Sequence, residues 1–409
     1  MSDYHLRNWE HIHQHTQLFY WTVFNHETAE STRFIYKHDA IVYQRILPHA
    51  TLYFHWYEDE FARLNVAIEP PESHAELCRQ RAQELRDTYK YLRLSFSGGS
   101  DSLTALHSFV DNNIHLDEIV VVDYFDGSNL TDPMQSTSRE IKLYALPHLR
   151  QIAHLIPKTK ITVVNTTAKD DDDMFIDYSD DPEKHPNFDT LEGELHFGIE
   201  SWTVGKVMMK TPRENCCDIH GGTKVKLFKN KDKWYFYWID ASVSDLNMCA
   251  VYPEDFFISR NIPNLYLKTV YLLKNYFISR NFDDVTINKF CEQAENGPAY
   301  NFGLGRNLAQ GLAGYKTYFS SHNPMDWENH LISGWHSTQF FKNVVNTSEG
   351  NGWMKSYKRN IKSILAIAGD EWNVDKLGNP VPAFGRKGHF SKFYCLNDGR
   401  AYDSVEAKK

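Results

Sequence analysis

Short apolar runs alternate with stretches of helical periodicity through the middle of the chain, between residues 91 and 220. The runs predict buried strands, and apolar residues spaced three and four apart predict helices. The expected strands cover residues 91–96, 118–123, 160–165 and 215–220. The expected helices cover residues 75–90, 103–110, 136–156 and 191–209. Because strands that alternate with helices favour a parallel sheet with right-handed crossovers, the predicted fold class is α/β.

The regions on either side of this pattern are organised differently. The first 70 residues mix aromatic and polar residues and predict a small N-terminal α+β unit, with strands within residues 33–46 and 52–56. Residues 69–73 (Glu-Pro-Pro-Glu-Ser) predict a hinge that ends in the helix cap Ser73. Residues 231–240 predict a strand or hairpin arm, and the helical spacing over 265–277 begins a mainly helical C-terminal region. The predicted units are residues 1–70, 71–253 and 254–409.

The turn after the first strand of the alternating pattern is rich in glycine and serine. It consists of Ser97, Gly98, Gly99, Ser100, Asp101 and Ser102. Glycines let the backbone approach a phosphate, and the N-terminus of the helix that follows attracts negative charge. An aspartate repels phosphate unless a divalent cation lies between them, which indicates Mg²⁺ bound by Asp101. The alternative is a Gly-Gly turn whose Ser or Asp caps the helix without any ligand.

Two other strand ends carry candidate chemistry. Ligands of open parallel sheets bind at the carboxyl ends of the strands, where Asp123 follows the second strand and Gly221 follows the fourth. Asp123 would contact a ribose or a second metal ion, or would cap a turn through its own side chain. Lys224 would stabilise negative charge that develops on a phosphate, or would belong to a solvated basic hairpin with the lysines that follow it.

Composition narrows the classes of protein. The chain has 409 residues, a net charge of −9 and a pI near 6.1, which weighs against a broad nucleic-acid surface. Its six cysteines form no CxxC motif, so neither a zinc framework nor a disulfide scaffold is expected. No apolar signal segment and no run of 18 apolar residues is present, so no membrane association is predicted. The expected location is cytoplasmic.

The hexapeptide at 97–102, set between a strand and a helix, resembles the pyrophosphate loop (SGGxDS) of the N-type ATP pyrophosphatases. It is not a Walker A loop, because no Gly-Lys-Ser/Thr follows. The resemblance covers residues 90–240. It implies an adenine nucleotide alpha hydrolase-like (HUP) parallel sheet with helices on both faces, and it implies ATP and Mg²⁺ as bound groups. The six loop residues would hold pyrophosphate, Asp101 would ligate Mg²⁺, and Asp123, Gly221 and Lys224 would complete the site.

Within this superfamily the chain looks most like a divergent, stand-alone synthetase domain of the asparagine synthetase kind. Ser2 stands where the glutaminase nucleophile of that enzyme is a cysteine, and residues 220–224 (His-Gly-Gly-Thr-Lys) replace its Gly-rich turn with Asp-Glu. The resemblance implies an enzyme, an AMP-forming carbon–nitrogen ligase that acts on a small molecule. Nitrogen would come from solution, from a substrate or from an ammonia- or amine-supplying partner. The alternatives are an enzyme that aminates or thiolates a nucleobase or tRNA, and an inactive nucleotide-binding protein.

Overall fold

The computed structural model describes residues 19–34, 40, 43–44, 46–124, 141, 145–166, 215–221, 226–238, 252–284, 287, 372–374, 380–382, 391–403 and 407. Its first elements are the strands β1 (Phe19–Asn25), β2 (Glu30–Phe34) and β3 (Ala50–Trp56), followed by the short helix α1 (Glu58–Ala62). The three strands form an antiparallel sheet in the order β2-β1-β3. Alternate residues of β3 are buried, as expected for a sheet with one face on a core.

The prediction of strands across residues 33–46 is confirmed at Arg33 and Phe34 and wrong at the described residues 40, 43, 44 and 46, and the other positions lie outside the described residues. Strand β2 ends at Phe34, and the described residues 40, 43, 44 and 46 are helical. Ala40, Tyr43 and Leu47 are spaced three and four apart, and all three pack against the same apolar core. Packing of this helical face therefore overrides the strand preference of the aromatic and β-branched residues in the segment.

The alternating pattern of the middle region is present as helices and strands in chain order. The elements are α2 (His74–Thr88), β4 (Tyr91–Ser95), α3 (Ser100–Val110), β5 (Glu118–Tyr124), α4 (Leu146–Ile152), β6 (Lys160–Thr166) and β7 (Cys216–His220). Ser73 caps α2 as predicted, because its hydroxyl accepts a hydrogen bond from the Glu76 amide (3.1 Å). The expected helix 136–156 is observed over the residues of α4, and the expected helix 191–209 lies outside the described residues.

The remaining elements fall into a hairpin, a helix and several short strands. They are β8 (Lys226–Asn230), β9 (Lys233–Tyr237), β10 (Tyr252–Asp255), α5 (Asn264–Ser279), β11 (Trp372–Val374), β12 (Pro380–Pro382), β13 (Phe393–Cys395) and β14 (Ala401–Tyr402). The hairpin β8–β9 confirms the predicted arm, and α5 confirms the predicted helix at 265–277. Strands β11 to β14 were not predicted, and most of the expected mainly helical C-terminal region lies outside the described residues.

Five strands form one parallel sheet, which confirms the α/β class. Their order is β10-β7-β4-β5-β6, and every neighbouring pair is parallel. The first strand along the chain, β4, therefore lies in the centre, with later strands added first on one side and then on the other. In doubly wound sheets this arrangement opens a crevice at the carboxyl ends of the two strands where the direction of winding reverses, here β4 and β7.

One face of this sheet is apolar and carries α2 and α3. Its buried core includes Leu92 and Leu94 of β4, Ile119 and Val121 of β5, and Cys217 and Ile219 of β7, together with Leu77, Leu85, Leu106 and Phe109 of the two helices. Since successive side chains of a strand point to opposite faces, the residues between them form the second face. The apolar face fixes α3 against β4, so the turn that joins these two elements has a packed support.

A second apolar cluster joins distant parts of the chain. Strands β8 and β9 continue through β13 and β14 into a four-stranded antiparallel sheet. Phe54, Phe61, Phe236, Tyr266 and Tyr394 lie in one buried core against this sheet, so all three predicted units contribute to it. The predicted hinge is held to α5, because Lys268 donates to the Glu69 carboxylate (2.7 Å) and to the Pro70 carbonyl (2.9 Å). No helix in the described part of the chain is long and apolar enough to cross a membrane.

Candidate functional site

The turn between β4 and α3 is shaped by its glycines. Gly98 has a φ of +82°, a left-handed conformation that side chains rarely adopt, and a Cβ there would lie 2.8 Å from the Ala145 Cβ. Gly99 is extended (φ −69°, ψ 163°) and is the N-cap of α3. Only a glycine at position 98 allows the turn to lie this close to Ala145, the residue before α4. The first turn of α3 begins at the next residue but one, Ser100.

Two serines brace this turn from within. The Ser102 hydroxyl donates to the Gly99 carbonyl (3.1 Å) and accepts from the Ser97 amide (3.3 Å). The Ser97 hydroxyl accepts from the Gly99 amide (3.3 Å) and lies 3.2 Å from the Ser102 hydroxyl. These contacts connect Ser97, Gly99 and Ser102 to one another across the turn. Both hydroxyls therefore have a structural role here, and a further role toward a ligand stays a prediction.

The loop after β7 lies directly against the start of α3. A Cβ built on Gly221 would be 3.4 Å from the carbonyl carbon and oxygen of Asp101, so the loop after β7 lies one side-chain atom away from the backbone of α3. The structure therefore brings the predicted residues 97–102 and Gly221 to one place at the β4–β7 crevice. The Asp101 side chain is half-buried there.

Three predicted site residues are described less fully. Asp123 lies in β5, next to β4 and at the same carboxyl edge, where it is paired in register with Asn165, and its side chain is not described. Ser100 is the first residue of α3, and its side chain is likewise not described. Lys224 lies outside the described residues.

Sequence reasoning did not single out His220 as a candidate site residue. It is the last residue of β7, and the register pairs Leu94 with Ile219, so His220 follows beside Ser95 at the edge of the crevice. Alternation along β7 places it on the same face of the sheet as Asp218, and it is half-buried. The signal that would have found it is the one that selected Asp123, namely a polar residue at the carboxyl end of a buried parallel strand.

Beneath this edge, the second face of the sheet carries a row of alternating charges. Asp218, Arg93, Glu118 and Lys160 are neighbours in register on β7, β4, β5 and β6, and we call them the charge row. Arg93 binds Asp218 with two hydrogen bonds, Nε to Oδ1 (2.6 Å) and Nη2 to Oδ2 (3.1 Å), and both side chains are at most 1% exposed. Such a two-pronged pair is directional and short.

Glu118 continues the row on its other side. Lys160 donates to Glu118 (2.8 Å), as do the Tyr91 hydroxyl (3.0 Å) and the Thr162 hydroxyl. Burial favours the neutral carboxylic acid, but these three donors outweigh it and lower the pKa of Glu118. Burial also opposes the charge on Arg93, and the hydrogen bonds and charge of Asp218 reverse this and raise its pKa. The hydrogen bonds within the charge row therefore favour the charged forms of Glu118 and Arg93.

No model of a protein family matches the chain, and a search of curated proteins returns no significant match. The kind of site therefore has to be inferred from the structure itself. It consists of a turn shaped by glycine and the start of a helix, at the central crevice of a parallel sheet.

Proposed function

We propose that the chain is an ATP-dependent ligase that splits ATP between its α and β phosphates and joins nitrogen to a small-molecule substrate. The single observation that carries this proposal is the location of the SGGSDS turn (residues 97–102) at the β4–β7 crevice, with Gly221 against Asp101. Ligands of doubly wound sheets bind at this point, and anions bind at helix starts of this kind. The HUP variant of the α/β fold, with helices on both faces, is part of the proposal.

The residues present fit a nucleotide with Mg²⁺. The left-handed conformation of Gly98 leads the chain into α3, and the first turn of a helix offers N–H groups that the helix ladder itself does not use. Asp101, in that first turn, is the residue that would hold Mg²⁺, and Asp123 lies on the neighbouring strand for a ribose or second metal ion. Bound Mg²⁺ would neutralise the leaving pyrophosphate. Lys224 would stabilise the negative charge that develops on the α phosphate.

Product analysis tests the proposed reaction. Full-length protein is incubated with ATP, Mg²⁺, ammonium and a pool of carboxylate and amide metabolites, and nucleotide products are separated by chromatography. AMP with pyrophosphate supports the ligase, and turnover that appears only when RNA is added would transfer the proposal to nucleobase modification. ADP as the main product, or no product under either condition, would contradict it.

A matched pair of aspartate variants tests the site. Asp101→Ala removes the proposed Mg²⁺ ligand, so we expect calorimetry to show at least about a tenfold loss of Mg²⁺-dependent ATP affinity, together with loss of turnover. Asp87→Ala is the control, since Asp87 is an exposed residue of α2 that accepts a bond from Gln83 (2.7 Å). Equal ATP affinity in both variants would remove Asp101 from the site.

Lys224 offers a separate kinetic test. If its ammonium stabilises charge that develops in the reaction, Lys224→Ala should lower kcat about a hundredfold and leave ATP binding nearly unchanged. Lys231→Ala, in the exposed turn between β8 and β9, is the matched control and should change little. Equal kinetics of the two variants would assign Lys224 to the basic hairpin.

A further inference from the structure

Two histidines from adjacent helices meet ring to ring behind the candidate site. His107 of α3 and His148 of α4 have their Nε2 atoms 3.0 Å apart, with ring centroids separated by 5.1 Å. The other nitrogen of His107, Nδ1, lies 3.0 Å from the Asp111 carboxylate. The His107 side chain is 15% exposed, and His148 is 9% exposed. The pair is therefore partly shielded and still accessible to small solutes.

The hydrogen bonds fix which nitrogen carries the proton on His107. A carboxylate only accepts, so His107 donates its Nδ1 hydrogen to Asp111, and a neutral His107 presents the Nε2 lone pair to His148. The two Nε2 atoms therefore share one hydrogen, which His148 donates.

We propose that this pair is a binding site for a borderline divalent cation such as Zn²⁺, which takes the place of the shared hydrogen. The hydrogen of His148 moves from Nε2 to Nδ1, so both rings stay neutral and both Nε2 lone pairs face the cation. With Zn–N bonds of about 2.0–2.1 Å, two nitrogens of a tetrahedral site lie about 3.3 Å apart. This is close to the 3.0 Å that separates the two Nε2 atoms.

Asp111 completes the pattern of a metal-binding histidine. Ligating histidines generally donate their second ring hydrogen to a carboxylate or carbonyl, which fixes the tautomer and orients the ring. The described residues contain no group of three His, Cys, Asp or Glu side chains placed to hold a metal ion. The remaining positions would thus be filled by water, and the site would bind its cation exchangeably.

The location of the pair gives the cation a structural effect. Helix α3 begins at the SGGSDS turn, and Ala145, directly before α4, contacts Gly98 of the same turn. A cation held by His107 and His148 would link the two helices that support the turn. We therefore expect Zn²⁺ to stabilise this part of the fold whether or not ATP is bound.

Zinc titration of the full chain tests this proposal through a difference between variants. His148→Gln keeps an N–H donor for the His107 Nε2 but removes the lone pair, so the helix contact survives and the cation ligand does not. His154→Gln is the matched control, because His154 is an exposed histidine in the turn after α4 whose Nδ1 donates to the Gln151 carbonyl (3.0 Å). Calorimetry with Zn²⁺ alone and thermal unfolding with and without Zn²⁺ are compared.

We expect His148→Gln to lose one Zn²⁺ binding event and the larger part of the Zn²⁺-induced rise in Tm, and His154→Gln to behave as wild type. Asp111→Asn should weaken binding about tenfold, because it perturbs the orientation of His107 without removing a ligand. The proposal is overturned if wild type and His148→Gln give the same isotherm and the same rise in Tm. If His148→Gln lowers Tm without Zn²⁺, His107→Gln provides the same comparison from the other helix.

Discussion

The two faces of the parallel sheet are held by opposite kinds of interaction. The apolar face packs α2 and α3 through leucine, isoleucine and phenylalanine contacts, which tolerate small sliding movements. The other face carries the charge row, in which Arg93, Asp218 and Glu118 are at most 3% exposed. A slip of one residue would turn these charges toward the apolar core, so the charge row specifies strand register, whereas the apolar face supplies most of the burial.

This difference has a consequence for the candidate site. The charge row lies two residues before the carboxyl ends of β4 and β7, where Ser97 and Gly221 follow, and at the first residues of β5 and β6. Register at the row therefore sets which residues meet at the crevice. Directional, buried pairs control position here, and apolar packing controls stability.

The largest expected effect comes from breaking the charge row. Asp218→Ala leaves the Arg93 guanidinium buried without its two-pronged partner, so we expect a loss of about 3–5 kcal/mol in the free energy of unfolding, measured by urea titration. Replacing both partners, Arg93→Met with Asp218→Leu, removes the unpaired charge and should recover most of this loss. A cost below about 1 kcal/mol for Asp218→Ala would show that the pair does not hold the sheet.

A somewhat smaller loss is expected on the apolar face. Leu94 is fully buried beneath α3, and Leu94→Ala should cost about 2–4 kcal/mol in the free energy of unfolding through lost burial and the cavity left behind. Ile161 has the same apolar character but is 39% exposed on the edge strand β6, so Ile161→Ala should cost less than about 1 kcal/mol. Ile161 is in register with Ile119 on the same face, so similar losses in the two variants would show that burial beneath α3 does not set the contribution of Leu94.

The next largest loss of stability is expected in the turn between β4 and α3, which contains Gly98. Gly98→Ala places a Cβ against Ala145 and forces a left-handed conformation on alanine, so it should cost about 1–3 kcal/mol and weaken ATP binding. Gly399 is a useful control, since it also has a positive φ (+74°) and its Cβ would lie 3.2 Å from the Asn65 side chain. Gly399→Ala should lower Tm without changing ATP affinity, and equal nucleotide binding in both variants would separate Gly98 from the site.

The smallest expected effect is a pH dependence of the free energy of unfolding that comes from His148 of α4. Folding lowers the pKa of His148 from 6.5 to about 4, so between these values the unfolded chain binds a proton that the folded chain does not. Stability should therefore fall as pH drops through this range, and His148 should contribute no slope above it. His148→Gln should show a shallower fall in urea titrations from pH 7.5 to 4.5. Parallel curves for the two proteins would contradict the shift.

The sequence contains enough local information to predict the parallel sheet and the turn at residues 97–102. Helical and alternating periodicity is strong in β4, α3, β5 and β7, and Gly98 sits where only glycine fits. The charge row could not be predicted in the same way. Arg93 and Asp218 are 125 residues apart in the sequence. Without the strand register, each would be predicted to be an exposed charged residue.

Segments whose structure the local sequence did not predict have a related cause. Residues 33–46 contain β-branched and aromatic side chains, and the packing of Ala40 and Tyr43 on the distant core favours helix at the described residues 40, 43, 44 and 46. The three-residue strand β13 is too short to show any periodicity in the sequence. It forms by antiparallel pairing with β9. In both cases partners far along the chain, rather than local preference, select the structure.

The pairing of β13 with β9 also orders events during synthesis. The Trp234 amide binds the Asn397 side chain across 163 residues (2.8 Å), and Leu396 donates to the Trp234 carbonyl. The parallel sheet needs only residues up to 255 and is free to form while the ribosome is still translating. The aromatic core around Phe236 has to wait for Tyr394, so a nascent chain that stalls before this residue exposes one side of β9 and a row of aromatic rings to chaperones and proteases.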